Sequence, residues 1–115
     1  MSYGLYGHSK ENKYHAVRTV SSLCGRTFDS KLEARRGEEL FYLQRAGVIS
    51  DLVYQRKFVL HATKPRITVS IDFSYTENGV EILEDAKGVL TAESRVKYAW
   101  LQEKHGLQVR LKRDK

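Results

Sequence analysis

Asn78-Gly79, set between Tyr75-Thr76-Glu77 and Val80-Glu81-Ile82, specifies a two-residue hairpin turn. Asn and Gly readily take the positive φ that such a turn demands, so the flanking strands are held in one register. Counting outward, Glu77 faces Val80 and, five pairs further on, Asp72 faces Asp85. Directly opposed residues have Cβ atoms about 4.5–5.5 Å apart. Two carboxylates at about 5 Å repel by around 3 kcal/mol at an effective dielectric near 20. A stable hairpin therefore implies a cation, a shared proton or a basic neighbour there. Lys87, two residues past Asp85, is expected on the same face, whereas Glu84 is sent to the apolar face with Ile82 as a helix-packing or edge contact. Two Asp and a Lys on one face suggest a metal site with a basic assistant. The plain alternative is a solvated strand face with Lys87 in a weak surface ion pair.

The rest of the chain supplies elements around that hairpin. Short strand-like pieces, Ala16–Val20 and Arg26–Phe28, flank a Ser/Cys/Gly turn region. Ser30 followed by Glu33 is a capping-box pattern, opening a helix to about Arg45 with Leu32, Leu40, Leu43 and Ala46 on one side, stopped at Gly47. Val53–Leu60 reads as a strand, and Pro65 breaks the link to the next. Ile67, Val69, Ile71, Phe73 and Tyr75 alternate as one apolar face. Thr91 caps a second helix, about 92–104, with Ala92, Val96, Ala99 and Trp100 inward. Gly106 ends it, and Leu107-Val109-Leu111 forms a last strand. The order is helix, three strands, helix, strand, an α/β sandwich with a mixed sheet. Residues 1–12, rich in Gly, Ser and Tyr, are expected to form a flexible arm before a single domain over 13–115.

The chain has 115 residues, of which 41% are hydrophobic and 30% charged, suited to one soluble domain. It contains no apolar run of about 20 residues that could span a membrane, and its start lacks signal-peptide character. The single cysteine, Cys24, fits a reducing cytoplasm. Four scattered histidines lack zinc-ligand spacing. The net charge of +6 is unevenly placed. Residues 1–36 and 88–115 each hold seven Lys or Arg against three Asp or Glu, while 37–87 hold six against eight. Basic flanks around an acidic centre fit a polyanion partner and a cation site, or simply a solvated basic surface.

The order of elements, with Asp72 on the second strand of the group and Asp85-Ala86-Lys87 on the third, resembles the PD-(D/E)xK nuclease superfamily, whose fold is restriction-endonuclease-like. Asn12-Lys13-Tyr14-His15-Ala16, Phe28-Asp29-Ser30-Lys31-Leu32-Glu33-Ala34-Arg35-Arg36, Ile71-Asp72-Phe73 and Glu84-Asp85-Ala86-Lys87-Gly88 look like a small group of phage and prophage nucleases. The likeness covers roughly residues 12 to 111. The layout is also similar to phage endonucleases that resolve branched DNA junctions. Ile71 stands where the motif often has Pro, and the second acid is Asp rather than Glu.

The resemblance implies a Mg²⁺-dependent endonuclease acting on DNA, with Mn²⁺ as a substitute metal. Asp72 and Asp85 would be the metal-binding acids, assisted by the Ala86 carbonyl, with Lys87 as the motif lysine and Glu33 as the acid from the first helix. Glu33 reads equally as a capping residue, worth about 1 kcal/mol of helix stability. Gln55 resembles a glutamine often found near such sites. Lys31, Arg35 and Arg36, beside Glu33, are candidate phosphate contacts, with solvated helix surface as the alternative. The likeness further implies a homodimer in the host-cell cytoplasm, no membrane partner, and branched or Holliday-junction DNA as substrate. The alternatives are a non-catalytic DNA-binding protein with the same fold, or a nuclease acting on single strands or ends.

Overall fold

Asn78 and Gly79 have φ of 53° and 78°, the two positive values of a hairpin turn that matches strand twist. The turn joins β4 (Ile67–Glu77) to β5 (Val80–Ala86), in register from Glu77–Val80 to Phe73–Glu84. The computed structural model describes residues 17–87 and 90–112. The expected N-terminal arm, the Asn12–Ala16 segment and Gly88 lie outside the described residues. Before the hairpin come β1 (Thr19–Ser21), β2 (Arg26–Phe28), α1 (Lys31–Arg45) and β3 (Ser50–His61). After it come α2 (Ala92–His105) and β6 (Val109–Lys112).

β1 and β2 form a separate two-stranded sheet. The main sheet has the order β3-β4-β5-β6, antiparallel except for β5 and β6, which run parallel. It is the mixed sheet that the order of elements implies. The α-β-β-β-α-β succession stands as expected, preceded by the small hairpin. No helix among the described residues is long and apolar enough to cross a membrane.

Both helices begin as their caps specify. Ser30 accepts from the Glu33 N–H at 3.0 Å, and Thr91 from the Ser94 N–H at 3.1 Å. Their buried faces differ from the expected stripes. In α1 the buried line is Glu33, Ala34, Gly37 and Leu40; Leu43 is half-buried, and Ala46 is the exposed C-cap. A Cβ on Gly37 would stand 2.7 Å from the Phe28 ring, so only glycine lets α1 lie this close to β2. In α2 the buried residue is Leu101, with Ser94 and Tyr98 half-buried on the same line. Ala92, Val96 and Ala99 face outward, contrary to expectation, and Trp100 is half-buried. The few apolar residues of α2 do not define one stripe, so its docking follows Leu101 and the Tyr98 hydroxyl.

The core has two parts. Phe28, Ala34, Leu40, Ile49, Phe73 and Tyr75 pack under α1, and Phe58, Leu60, Val69, Ile71, Leu83 and Leu101 pack under α2. On β5, Leu83 joins the α2 cluster while Ile82 and Ala86 pack against the α1 cluster, so the helices cover opposite faces of that strand. The apolar row of β4 is therefore not one face. Val69 and Ile71 belong to the α2 cluster and Phe73 and Tyr75 to the α1 cluster, with Asp72 at the division. β3 divides likewise, between Tyr54 and Phe58. Tyr54 pairs with Phe73 and Arg56 with Ile71, which sets Gln55 across from Asp72. Gln55 has φ of 58°, a left-handed backbone inside a strand, and this breaks the alternation.

Candidate functional site

The β4–β5 ladder stops at Phe73–Glu84, one pair short of the two aspartates. There the side chains replace the missing ladder bonds. The Asp72 N–H donates to Asp85 Oδ1 at 2.6 Å, and the Ala86 N–H donates to Asp72 Oδ2 at 3.0 Å. Asp72 and Asp85 are thus adjacent, as the turn count requires, but each bonds the backbone of the opposite strand. Asp85 is buried, and its Oδ2 accepts from the Tyr98 hydroxyl of α2 and lies 3.8 Å from Lys87 Nζ. Lys87 is on the expected face.

Glu33 reaches the same place from the first turn of α1. Its carboxylate is buried, hydrogen-bonds the backbone at Asp29, and accepts from Gln55 Nε2 at 2.8 Å. The same Gln55 nitrogen lies 3.4 Å from Asp72 Oδ1, so Gln55 links the two acids. The capping role is only half realised: Ser30 takes the Glu33 N–H, but the carboxylate bonds at Asp29 and Gln55 rather than closing back on Ser30.

Burial first, and neighbouring carboxylates second, raise the pKa values of Asp72 and Glu33. Burial, with Asp85 and Glu33 nearby, pushes Asp72 to about 8, against the pull of the Ala86 N–H and Lys87. Burial, followed by Asp29 and, more weakly, Asp85, pushes Glu33 to about 7. Burial and the Asp85 carboxylate raise Tyr98, keeping its hydroxyl a donor. The cluster is therefore a set of hard oxygen donors in which Asp72 and Glu33 are hard to ionise without a positive partner, a setting that suits a divalent cation. Its geometry limits the ligand set. Among the described residues no three His, Cys, Asp or Glu side chains converge to hold one metal ion. Gln55 stands between Glu33 and Asp72, which leaves Asp72 and Asp85 as the adjacent pair. Two carboxylates satisfy Mg²⁺, which keeps several waters.

The basic residues separate. Lys31 and Arg35 are exposed on the first turns of α1. Arg36, expected among the phosphate contacts, instead turns inward. Its Nε donates to Glu84 at 2.6 Å, its Nη2 to the same carboxylate at 3.1 Å, and its Nη1 to Glu39 at 2.9 Å. Glu84 is fully buried and also accepts from the Tyr75 hydroxyl at 2.6 Å. It is the helix-packing contact on the α1 face that alternation implies. A buried carboxylate needs such a partner, which is why Arg36 is drawn in. Tyr98 is the site residue that sequence reasoning missed; its position on one line with Ser94 and Leu101 was the available signal.

A family model, described as protein of unknown function DUF1064, matches residues 11–113. No curated protein and no solved structure matches the chain significantly.

Proposed function

The chain belongs to the DUF1064 family, and from the site at the end of its hairpin we propose that it is a Mg²⁺-dependent endodeoxyribonuclease of the PD-(D/E)xK type, phage-encoded and acting on branched DNA as a homodimer. The observation that carries this reading is the convergence of Asp72, Asp85 and Lys87 where β4 and β5 part, with Glu33 and Gln55 joined to them.

Asp72, Asp85 and the Ala86 carbonyl would hold the cation. When bound, Mg²⁺ or Mn²⁺ supplies polarisation of the phosphate and a more acidic water. Lys87, beside Asp85, orients the attacking water or offsets charge developing on the phosphoryl oxygens. Tyr98 and the Asp72 N–H fix the Asp85 carboxylate from both oxygens. Gln55 and Glu33 position Asp72, and Lys31 and Arg35 take flanking phosphates.

One observation favours a second reading, a non-catalytic DNA-binding protein of the same fold. Both Asp85 oxygens and one of Asp72 already accept close N–H or O–H bonds, and no three acids converge.

The test offers purified protein four-way junction, flap, duplex and single-stranded DNA with Mg²⁺, Mn²⁺ or EDTA. Metal-dependent cleavage is expected, lowered at least about a hundredfold by Asp72→Ala or Lys87→Ala, equivalent to about 2.7 kcal/mol. Cleavage of none of the four, or full activity in both variants, removes the nuclease reading. Binding without cleavage by the wild type selects the second.

A further inference from the structure

Among the described residues β6 is the edge of the main sheet, and its parallel register brings Lys112 opposite Ala86, one residue from Asp85 and one from Lys87. The contact is direct at the backbone, where the Lys87 N–H donates to the Lys112 carbonyl at 3.1 Å. Alternation puts Lys112 on the face of Arg110, which opposes Glu84 and reaches the Tyr75 hydroxyl at 3.4 Å. That is the α1 face, from which Glu33 approaches. Lys87 lies on the other face, with Asp85. Two lysines therefore flank the acid cluster from opposite sides of β5.

Their electrostatic situations differ from those of the neighbouring cations. Arg36 is paired with Glu84 and Glu39, Arg56 with Glu81, and Lys97 with Glu93. Lys112 is exposed and has no carboxylate partner among the described residues. Arg110 stands 3.8 Å from Glu77 with its side chain 52% exposed, a weak pairing. Residues two apart on a strand are about 6.6 Å apart, so Arg110 and Lys112 present successive positive charges along the edge.

We infer that the exposed edge of β6 is a track for a nucleic-acid backbone, with Lys112 holding the phosphate next to the one at the acid cluster and Arg110 the next along. The inference rests on the nuclease reading and extends it to the path of the substrate strand. The strand crosses the end of β5 between Lys112 and Lys87. These contacts are to phosphate and carry no base specificity.

The test measures binding of a labelled four-way junction and a labelled duplex in EDTA, across a salt series. The proteins are wild type, Lys112→Ala, Lys112→Arg, Arg110→Ala and, as a control on the far edge strand, Lys57→Ala. Lys112→Ala is expected to weaken binding about three- to tenfold and to lower the salt slope by roughly one, with Arg restoring both. Arg110→Ala weakens binding less, and Lys57→Ala leaves it unchanged. Equal binding by wild type and Lys112→Ala overturns the track while the nuclease reading stands. Equal losses from Lys57→Ala and Lys112→Ala also overturn it, since the effect is then general charge. Absence of DNA binding by the wild type overturns both.

Discussion

Asp72 and Asp85 are bonded crosswise: the Asp72 N–H donates to the Asp85 carboxylate, while the Asp72 carboxylate accepts from the N–H that follows Asp85. Each acid thus closes the hairpin past the last regular ladder pair. Hydrogen bonds to charged groups contribute about 1.5–3 kcal/mol each. The two aspartates consequently carry part of the fold, and alanine and asparagine are not equivalent replacements. Asn retains an acceptor for the opposite backbone, whereas Ala leaves an N–H unpaired.

A pH dependence of stability follows. Asp72 is raised from 3.8 to about 8 and Glu33 from 4.5 to about 7. A carboxyl whose folded pKa is raised contributes stability that is full below its unfolded pKa and is lost as pH rises through the folded one. In EDTA the melting temperature should therefore fall between about pH 4 and pH 8, by several degrees, since 1 kcal/mol is worth about 4–8 °C in a small domain. Asp72→Asn should flatten the profile. Mg²⁺ should raise the melting temperature at pH 8 and have little effect at pH 5. Calorimetric melts across that range test all three; a flat wild-type profile contradicts the electrostatics.

The Arg36–Glu84 pair is a support of the α1–β5 interface. Glu84 is fully buried and the Arg36 side chain 16% exposed. Removing one member leaves a charge without compensation, so Arg36→Ala should lower unfolding stability by about 3–5 kcal/mol. Replacing both with methionine should recover most of the loss. Urea unfolding of the three variants is the measurement, with an unchanged denaturant slope confirming a common unfolded state.

Gly37→Ala should destabilise despite the better helix propensity of alanine. The new methyl meets Phe28 Cζ at 2.7 Å, inside the buried α1 cluster. Overpacking of this kind costs about 1–3 kcal/mol, against at most about 1 kcal/mol gained in propensity. Combining it with Phe28→Leu should restore part of the difference. A stabilised Gly37→Ala protein would mean that the ring yields freely.

Tyr98→Phe removes one oxygen and with it the donor to Asp85. A loss of about 1–3 kcal/mol in urea unfolding at pH 8 is expected, with an unaltered circular dichroism spectrum. No loss would show that the Asp72 N–H and Lys87 hold Asp85 without the hydroxyl.

The local signals are legible because each is governed by near neighbours. Asn78-Gly79 determined the hairpin register, Ser30 and Thr91 the helix starts, and period-two alternation separated Glu84 from Asp85 and Lys87. What escaped was set by packing at a distance. Strict alternation gives one apolar face to Ile71 and Phe73, yet they serve different helices, and the change falls where Asp72 lies across from Gln55, whose left-handed backbone no glycine or asparagine advertises. Arg36 looked like its neighbours Lys31 and Arg35, and only the burial of Glu84, far along the chain, draws it inward. The outward turn of Val96 and Ala99 has the same origin, since α2 is oriented by Leu101 and by a hydroxyl that reaches Asp85.

The parallel pairing of β6 with β5 bears on the order of assembly. The β3–β4–β5 meander can form from neighbouring segments, but the end of β5 gains its outer partner only after α2 has crossed the sheet. Contacts that close such long loops form late. The backbone amide of Lys87, which donates to the Lys112 carbonyl, should accordingly gain protection after that of Ala86, which donates to Asp72 within the hairpin, in pulse-labelled hydrogen exchange. A refolding chain would then leave the Asp85–Lys87 end of the hairpin without its Tyr98 and Lys112 contacts until α2 and β6 are in place.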